Sequence, residues 1–141
     1  MSIKTKQIYE KASQDDGIRF LITRYYPRGV RKDAFDEWLR ALSPSPQLLF
    51  QYKDKKINWE TFKDRFLSEL ANSIDSVEII NILHDEMKSD VITLLCFEKA
   101  GVPCHRHIIK DVIENPKLLS NLMTKNADDH KRISVPSLIA H

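Results

Sequence analysis

Both cysteines of the chain, one glutamate, one arginine and two of its five histidines fall within the twelve residues CFEKAGVPCHRH, 96–107. Three chemistries suit such a stretch. The first is anion binding. Pro103 favours the first turn of a helix, which would set Cys104, His105 and Arg106 at its N-terminus. Free backbone N–H groups and the helix dipole there attract a phosphate, sulfate or carboxylate. Arg106, joined by Arg24 and Arg28 from an earlier loop, would add forked donors. Paired instead with Glu98, Asp36 or Glu37, the same arginines would be structural.

The second chemistry is nucleophilic. A cysteine at a helix N-terminus beside His105 and Arg106 is pushed towards its thiolate, and Glu98 or His105 would then move the proton. The spacing differs from the loop of tyrosine phosphatases, since Arg106 lies only two residues beyond Cys104. The alternative for Cys104 is simple packing as a small buried residue. Cys96 is expected to fill the core, or else to pair reversibly with Cys104, which requires their α-carbons within about 7 Å.

The third chemistry is metal binding, for which Cys96, Cys104, His105 and His107 are ligands of the zinc type. Their spacing argues against it. Adjacent residues seldom reach one ion together, and two helical residues two apart point about 200° from each other. No metal is expected, and His84 and His130 read as surface histidines.

Elements must position these groups. IKTKQIY suits a short strand, SQDDG a turn, and IRFLIT a strand that stops at RYYPRG, where Pro27 and Gly29 punctuate the chain. Phe35, Trp38, Leu39 and Leu42 share one helical face, so FDEWLRAL is predicted as a helix ended by SPSP. Asn58 can cap a helix whose stripe is Trp59, Phe62, Phe66, Leu67 and Leu70, read as core. A further helix runs through Ile74, Val77, Ile80, Leu83 and Met87. DVITLLCF, apolar without alternation, suits a strand buried on both faces. Ile108, Ile109, Val112 and Ile113 mark another helix, and KLLSNLM one more beyond Pro116.

Strands separated by helices favour an α/β fold, a small, mostly parallel sheet flanked by helices in a single domain over 1–124. Residues 125–141 form a tail that is loose, or that docks on the domain or on a second subunit. Ligands of such sheets gather beyond the carboxyl ends of the strands. If IRFLIT and VITLL are parallel neighbours, TRYYPRG and CFEKAGVPCHR open on one edge and form one site.

These pieces together resemble the family called domain of unknown function 488. They are Arg24 with Pro27-Arg28-Gly29, Asp36 to Leu39, Ser43 to Ser45, Cys96 with Glu98-Lys99, and Cys104-His105-Arg106. They are widely spaced, in the expected order, and cover about residues 5–114. Members of the family often read DRLWPRG, where this chain has Thr23 and Tyr26 in place of the acid and the tryptophan. The resemblance implies a compact α/β domain with no established activity, and it directs attention to the CHR loop.

Composition bounds the rest. Of 141 residues, 42% are hydrophobic and 30% charged, as in an ordinary globular protein able to bury a core. No apolar run reaches the roughly 20 residues of a membrane helix, and the N-terminus has no secretory core. A cytoplasmic protein with free thiols is expected. The net charge of +2 does not favour a nucleic-acid binder. With three glycines and no phosphate-cradling glycine motif, a nucleotide enzyme of the common kinds and a bound cofactor are not expected. The partners in view are a small anion and a second copy of the chain. The site assembled from the sequence is Arg24, Arg28, Cys96, Glu98, Cys104, His105 and Arg106, with Cys104, His105 and Glu98 as its chemical groups. The rival is a non-catalytic interaction module in which the CHR loop is structural.

Overall fold

The apolar runs IRFL and VITLLC become the two central strands, and the chain between the strands supplies the helices. The computed structural model describes residues 2–97 and 104–122. Its strands are β1 (Ser2–Gln7), β2 (Ile18–Leu21), β3 (Glu37–Trp38) and β4 (Val91–Cys96). They form one sheet in the order β1-β4-β2-β3, with every pairing parallel. The helices are α1 (Pro46–Lys53), α2 (Trp59–Ala71), α3 (Ile74–Glu86) and α4 (His105–Glu114), followed by a helical segment over 117–122. The expected α/β architecture holds. Because β2 and β4 are neighbours, the segments after Leu21 and Cys96 leave the same edge. Residues 98–103, which include Glu98, and the tail from 123 lie outside the described residues.

Strand alternation sorts the side chains into two layers. Ile3, Ile92, Phe20 and Leu94 face one way and meet Phe62, Phe66 and Leu70 of α2, Ile80 of α3 and Ile109 of α4. Phe66 is fully buried there, a transfer that contributes about 2–3 kcal/mol. On the opposite face Ile8, Leu21 and Leu95 form a smaller cluster under Phe35 and Trp38.

The helix predicted over FDEWLRAL is not formed. Glu37–Trp38 instead extends the sheet as β3, followed by one 3-10 turn at Arg40–Leu42. Asp36 explains the choice. Its side chain accepts from the Arg19 amide (2.8 Å) and its own amide donates to the Arg19 carbonyl (2.8 Å). These bonds satisfy the edge of β2 and hold the segment extended. Trp38 and Leu39 then pack on opposite faces, which strand alternation achieves as well as a helical stripe does.

SPSP begins a helix. Ser45 accepts from the Leu48 amide (3.1 Å) and Pro46 takes the first position, the arrangement that pre-organises a helix start. Asn58 caps α2 as expected, accepting from the Thr61 amide at 2.8 Å. α1 ends in a Schellman turn, with the Lys55 amide on the Tyr52 carbonyl (3.0 Å) and the Lys56 amide on Gln51 (2.9 Å). Lys55 occupies the left-handed position of that turn at φ 59°, where glycine is usual; an L side chain there costs about 1–2 kcal/mol. His84, expected at the surface, is partly buried. Its Nδ1 meets the Ile113 carbonyl at 2.7 Å and ties α3 to α4.

At the amino end of β2 lies a closed charge cluster. Asp16 is wholly buried. It accepts from Lys4 at 2.9 Å, from Lys6 at 3.0 Å and from Arg19, while the Ser13 amide donates to it at 3.0 Å. Burial alone would raise its carboxyl; the bonds from Lys4, Ser13, Lys6 and Arg19 outweigh burial and hold it far below the usual carboxylate range. Gly17 follows at φ 62°, and a Cβ there would stand 2.0 Å from the Val91 carbonyl oxygen, so only glycine fits.

Candidate functional site

At the opposite end of the same strands, three side chains converge. β4 delivers Cys96 as its last residue, and α4 begins one residue after Cys104. The sulfurs of Cys96 and Cys104 and a ring nitrogen of His105 all lie within 4.8 Å of one another, and all three residues are buried. Cys96 Sγ is 3.6 Å and Cys104 Sγ 3.9 Å from His105 Nδ1. The other ring nitrogen, Nε2, is 2.6 Å from the Ile22 carbonyl just beyond β2. A carbonyl oxygen only accepts, so Nε2 carries a proton and Nδ1 is the nitrogen turned to the sulfurs. Phe66 packs edge-on against the imidazole at 5.7 Å and fixes its plane.

The two thiols are driven apart electrostatically. The Cys96 S–H bonds to the Cys104 sulfur, which outweighs burial and, with the bond to His105, lowers the Cys104 thiol to about 4. The same bond, with burial, pushes the Cys96 thiol well above its ordinary value. The pair thus sets the lower thiol on Cys104 and the higher on Cys96. Both cysteines are free.

The sulfurs and imidazole line a cleft of about 620 Å³, within the range of small-molecule sites. Its wall is Tyr52 from α1 with Trp59 and Phe62 from α2. Its rim carries Arg24, Lys53, Lys55 and Lys56, and none of the described lining residues is acidic.

Placement divides the residues expected from the sequence. Cys96, Cys104 and His105 come together. Arg24 reaches the cleft while its Nε and Nη2 donate to the Pro44 (3.0 Å) and Ser43 (3.1 Å) carbonyls, fastening the loop after β2 to the start of α1. Arg28 is exposed and lies away from the cleft. It lies in the Pro27–Val30 turn beside Tyr26, whose ring packs on Trp38 (5.5 Å) and whose hydroxyl donates to the Val30 carbonyl. Arg106 is buried in the first turn of α4, 2% exposed, and does not line the cleft. Its positive charge works on Cys96, opposing the rise of that thiol. Glu98 lies outside the described residues.

The spacing argument against a shared metal holds for His107 but not for the adjacent pair Cys104 and His105. Cys104 precedes the helix in extended backbone (φ −149°, ψ 146°), so it is free of the helical geometry that would separate it from His105. His107 is exposed and takes no part. Tetrahedral zinc with bonds of about 2.3 Å to sulfur and 2.0 Å to nitrogen sets its ligand atoms roughly 3.5–3.8 Å apart. The sulfur–nitrogen distances here are close to that. The Nε2 bond to a backbone carbonyl is also the partner that metal-bound histidines use. Cys96, Cys104 and His105 could therefore hold a soft ion, with the cleft at the open position.

Sequence reasoning missed α1 and the basic turn after it. The signal was the run Tyr52-Lys53-Asp54-Lys55-Lys56, flanked by Trp59.

The model of the Active DUF488-N3 subclade matches residues 3–117, which span both strands of the site and α4. The Escherichia coli protein YeaO, itself uncharacterised, is 33% identical over 113 residues, covering 79% of this chain and 96% of YeaO. The uncharacterised Rv3073c of Mycobacterium tuberculosis and Mb3100c of Mycobacterium bovis are each 30% identical over 79 residues, 55% of this chain and 67% of theirs. No solved structure matches the chain.

Proposed function

The chain belongs to the DUF488 family, in its Active DUF488-N3 subclade, and on that premise we propose that it is a thiol-dependent group-transfer enzyme acting on a small anionic substrate. The observation that carries this reading is the pairing of Cys104 with a thiol donor and a tautomer-fixed imidazole on the floor of a cleft with a basic rim.

Cys104 is the nucleophile. Its sulfur attacks the electrophilic atom of the substrate and forms a covalent bond there, while the bond to the leaving group breaks and that group departs with the electron pair. The proton on the Cys96 thiol, beside Cys104, is the one available to the departing atom. A second acceptor then takes the group from Cys104 and restores the thiolate. Arg24 and the lysines of the rim hold the anion, and the dipole of α4 favours negative charge at Cys104. Two reduced thiols are required, which fits a cytoplasmic setting. Among the described residues no helix is long and apolar enough to cross a membrane.

The test is alkylation of Cys104 and Cys96 in the folded protein, followed separately by peptide mass spectrometry across pH, with and without phosphate. The reading expects Cys104 to react well below the free-thiol value of about 8.5, Cys96 to stay inert, and phosphate to protect Cys104. Two thiols that react only on unfolding would overturn it and favour the non-catalytic module. The ligand geometry supports a second reading, a soft-metal site. Under it, Cys104 would react only after a chelator is added, and one equivalent of zinc would block it again.

A further inference from the structure

The thiol chemistry accounts for the floor of the cleft but not for its wall and rim. Tyr52, Trp59 and Phe62 form a continuous aromatic surface. Trp59 stacks on Phe62 at 5.2 Å and 18°, and Tyr52 leans on both at 5.6 and 4.9 Å. Phe62 is core, but Tyr52 and Trp59 are only partly buried and line the cleft. Tyr25, 58% exposed, adds an aromatic ring from the loop after β2. The wall is bordered by Lys53, Lys55 and Lys56. Lys56 is 3.8 Å from Asp54, whereas Lys53 and Lys55 have no ion-pair partner among the described residues. Lys55 is also the one non-glycine residue with positive φ among them. A position where glycine is easier thus carries a lysine at the mouth of a cleft, the kind of local cost that functional sites retain.

We propose that the substrate is a planar aromatic anion. Its ring lies on the Tyr52–Trp59 surface, its negative group meets Lys53 and Lys55, and its reacting end points to the floor. Aromatic faces bind planar rings whatever their substituents; unpaired lysines beside them select for charge. A cleft of about 620 Å³ admits one such molecule of nucleotide size. This deepens the thiol reading by naming the substrate class, and it depends on that reading only for where the reacting end lies.

The experiment is calorimetric titration of the full chain with three probes: 1-naphthyl phosphate, inorganic phosphate and 1-naphthol. The expected result is binding of 1-naphthyl phosphate at least tenfold tighter than either of the others. Lys55→Gly is expected to melt at the same temperature or higher, having lost its left-handed side chain, yet to bind the aryl phosphate at least threefold more weakly. A merely structural Lys55 would show the first effect without the second. Trp59→Leu, which keeps the core contact, should bring aryl phosphate down to the affinity of phosphate. Equal affinity for the two phosphates, equal affinity for naphthol, or no binding of any probe would overturn the proposal. Tighter, salt-sensitive binding of a single-stranded oligonucleotide would overturn it in favour of a polymer. If binding fails while Cys104 still alkylates at low pH, the substrate class falls and the thiol reading stands. If binding holds without a reactive thiol, the reverse applies.

Discussion

The β2–β4 ladder holds a buried polar cluster at each end, and the two are built on opposite plans. At the amino end Asp16 is closed in by Lys4, Lys6, Arg19 and the Ser13 amide. The buried carboxylate is fully engaged by donors from within the fold. At the carboxyl end Cys96, Cys104 and His105 are also buried, but they line an opening. Cys104, whose thiol its neighbours lower, faces a 620 Å³ cleft. Burial alone therefore does not mark a site. A buried group whose demand is met within the fold is structural, and one whose demand is left towards an opening can do chemistry.

The contrast can be broken most forcefully at the closed end. Asp16→Asn leaves Lys4, Lys6 and Arg19 without their counter-ion, and removing one member of a buried ion cluster costs about 3–5 kcal/mol. Lys4 is 37% exposed, so water screens part of that loss and the lower figure is expected. Urea unfolding should show it, while the pH profile of Cys104 alkylation in the folded fraction stays where it was. A moved profile would mean that the two ends are coupled.

Acid should act through the same group. The folded carboxyl of Asp16 lies below its unfolded value of about 3.9. The stability it provides is complete above that value and is lost as pH falls below it towards the folded pKa. Thermal melts between neutral pH and about pH 3 should follow that decline, and Asp16→Asn should flatten it.

Changes at the open end are expected to move reactivity more than stability. Cys96→Ala removes the largest influence that lowers Cys104. Its alkylation midpoint should climb most of the way to about 8.5, with a stability loss of only about 1 kcal/mol for the small void. His105→Gln should raise the midpoint by less, because His105 is the lesser of the two lowering partners. Intact kinetics in Cys96→Ala would show that the dithiol pairing is incidental.

Much of this was legible in the sequence. β4 is an apolar run without alternation and β2 lies in a β-branched run of strand length, and two such strands in parallel bring Cys96 and the CHR segment to one edge. The caps at Asn58 and the core stripe of α2 were equally plain, since they depend on nearest neighbours in the chain. FDEWLRAL was misread because Phe35, Trp38 and Leu39 satisfy a helical face, while the contacts that hold them extended come from Arg19, far away in sequence. The same limit applied to the arginines. Arg24, Arg28 and Arg106 looked alike as anion ligands; only the fold separates a residue at the cleft, one at the surface and one in the core. The metal geometry was hidden because whether Cys104 lies in the helix or just before it depends on a single backbone step.

The central claim is that Cys104 is an anion in the folded protein. Its most direct test is the ultraviolet absorbance of the thiolate across pH, taken as the difference between the native chain and Cys104→Ala. A transition near pH 4, with thiolate present throughout the neutral range, is the expected result. A transition near the free-thiol value of about 8.5, or none before unfolding, would contradict it.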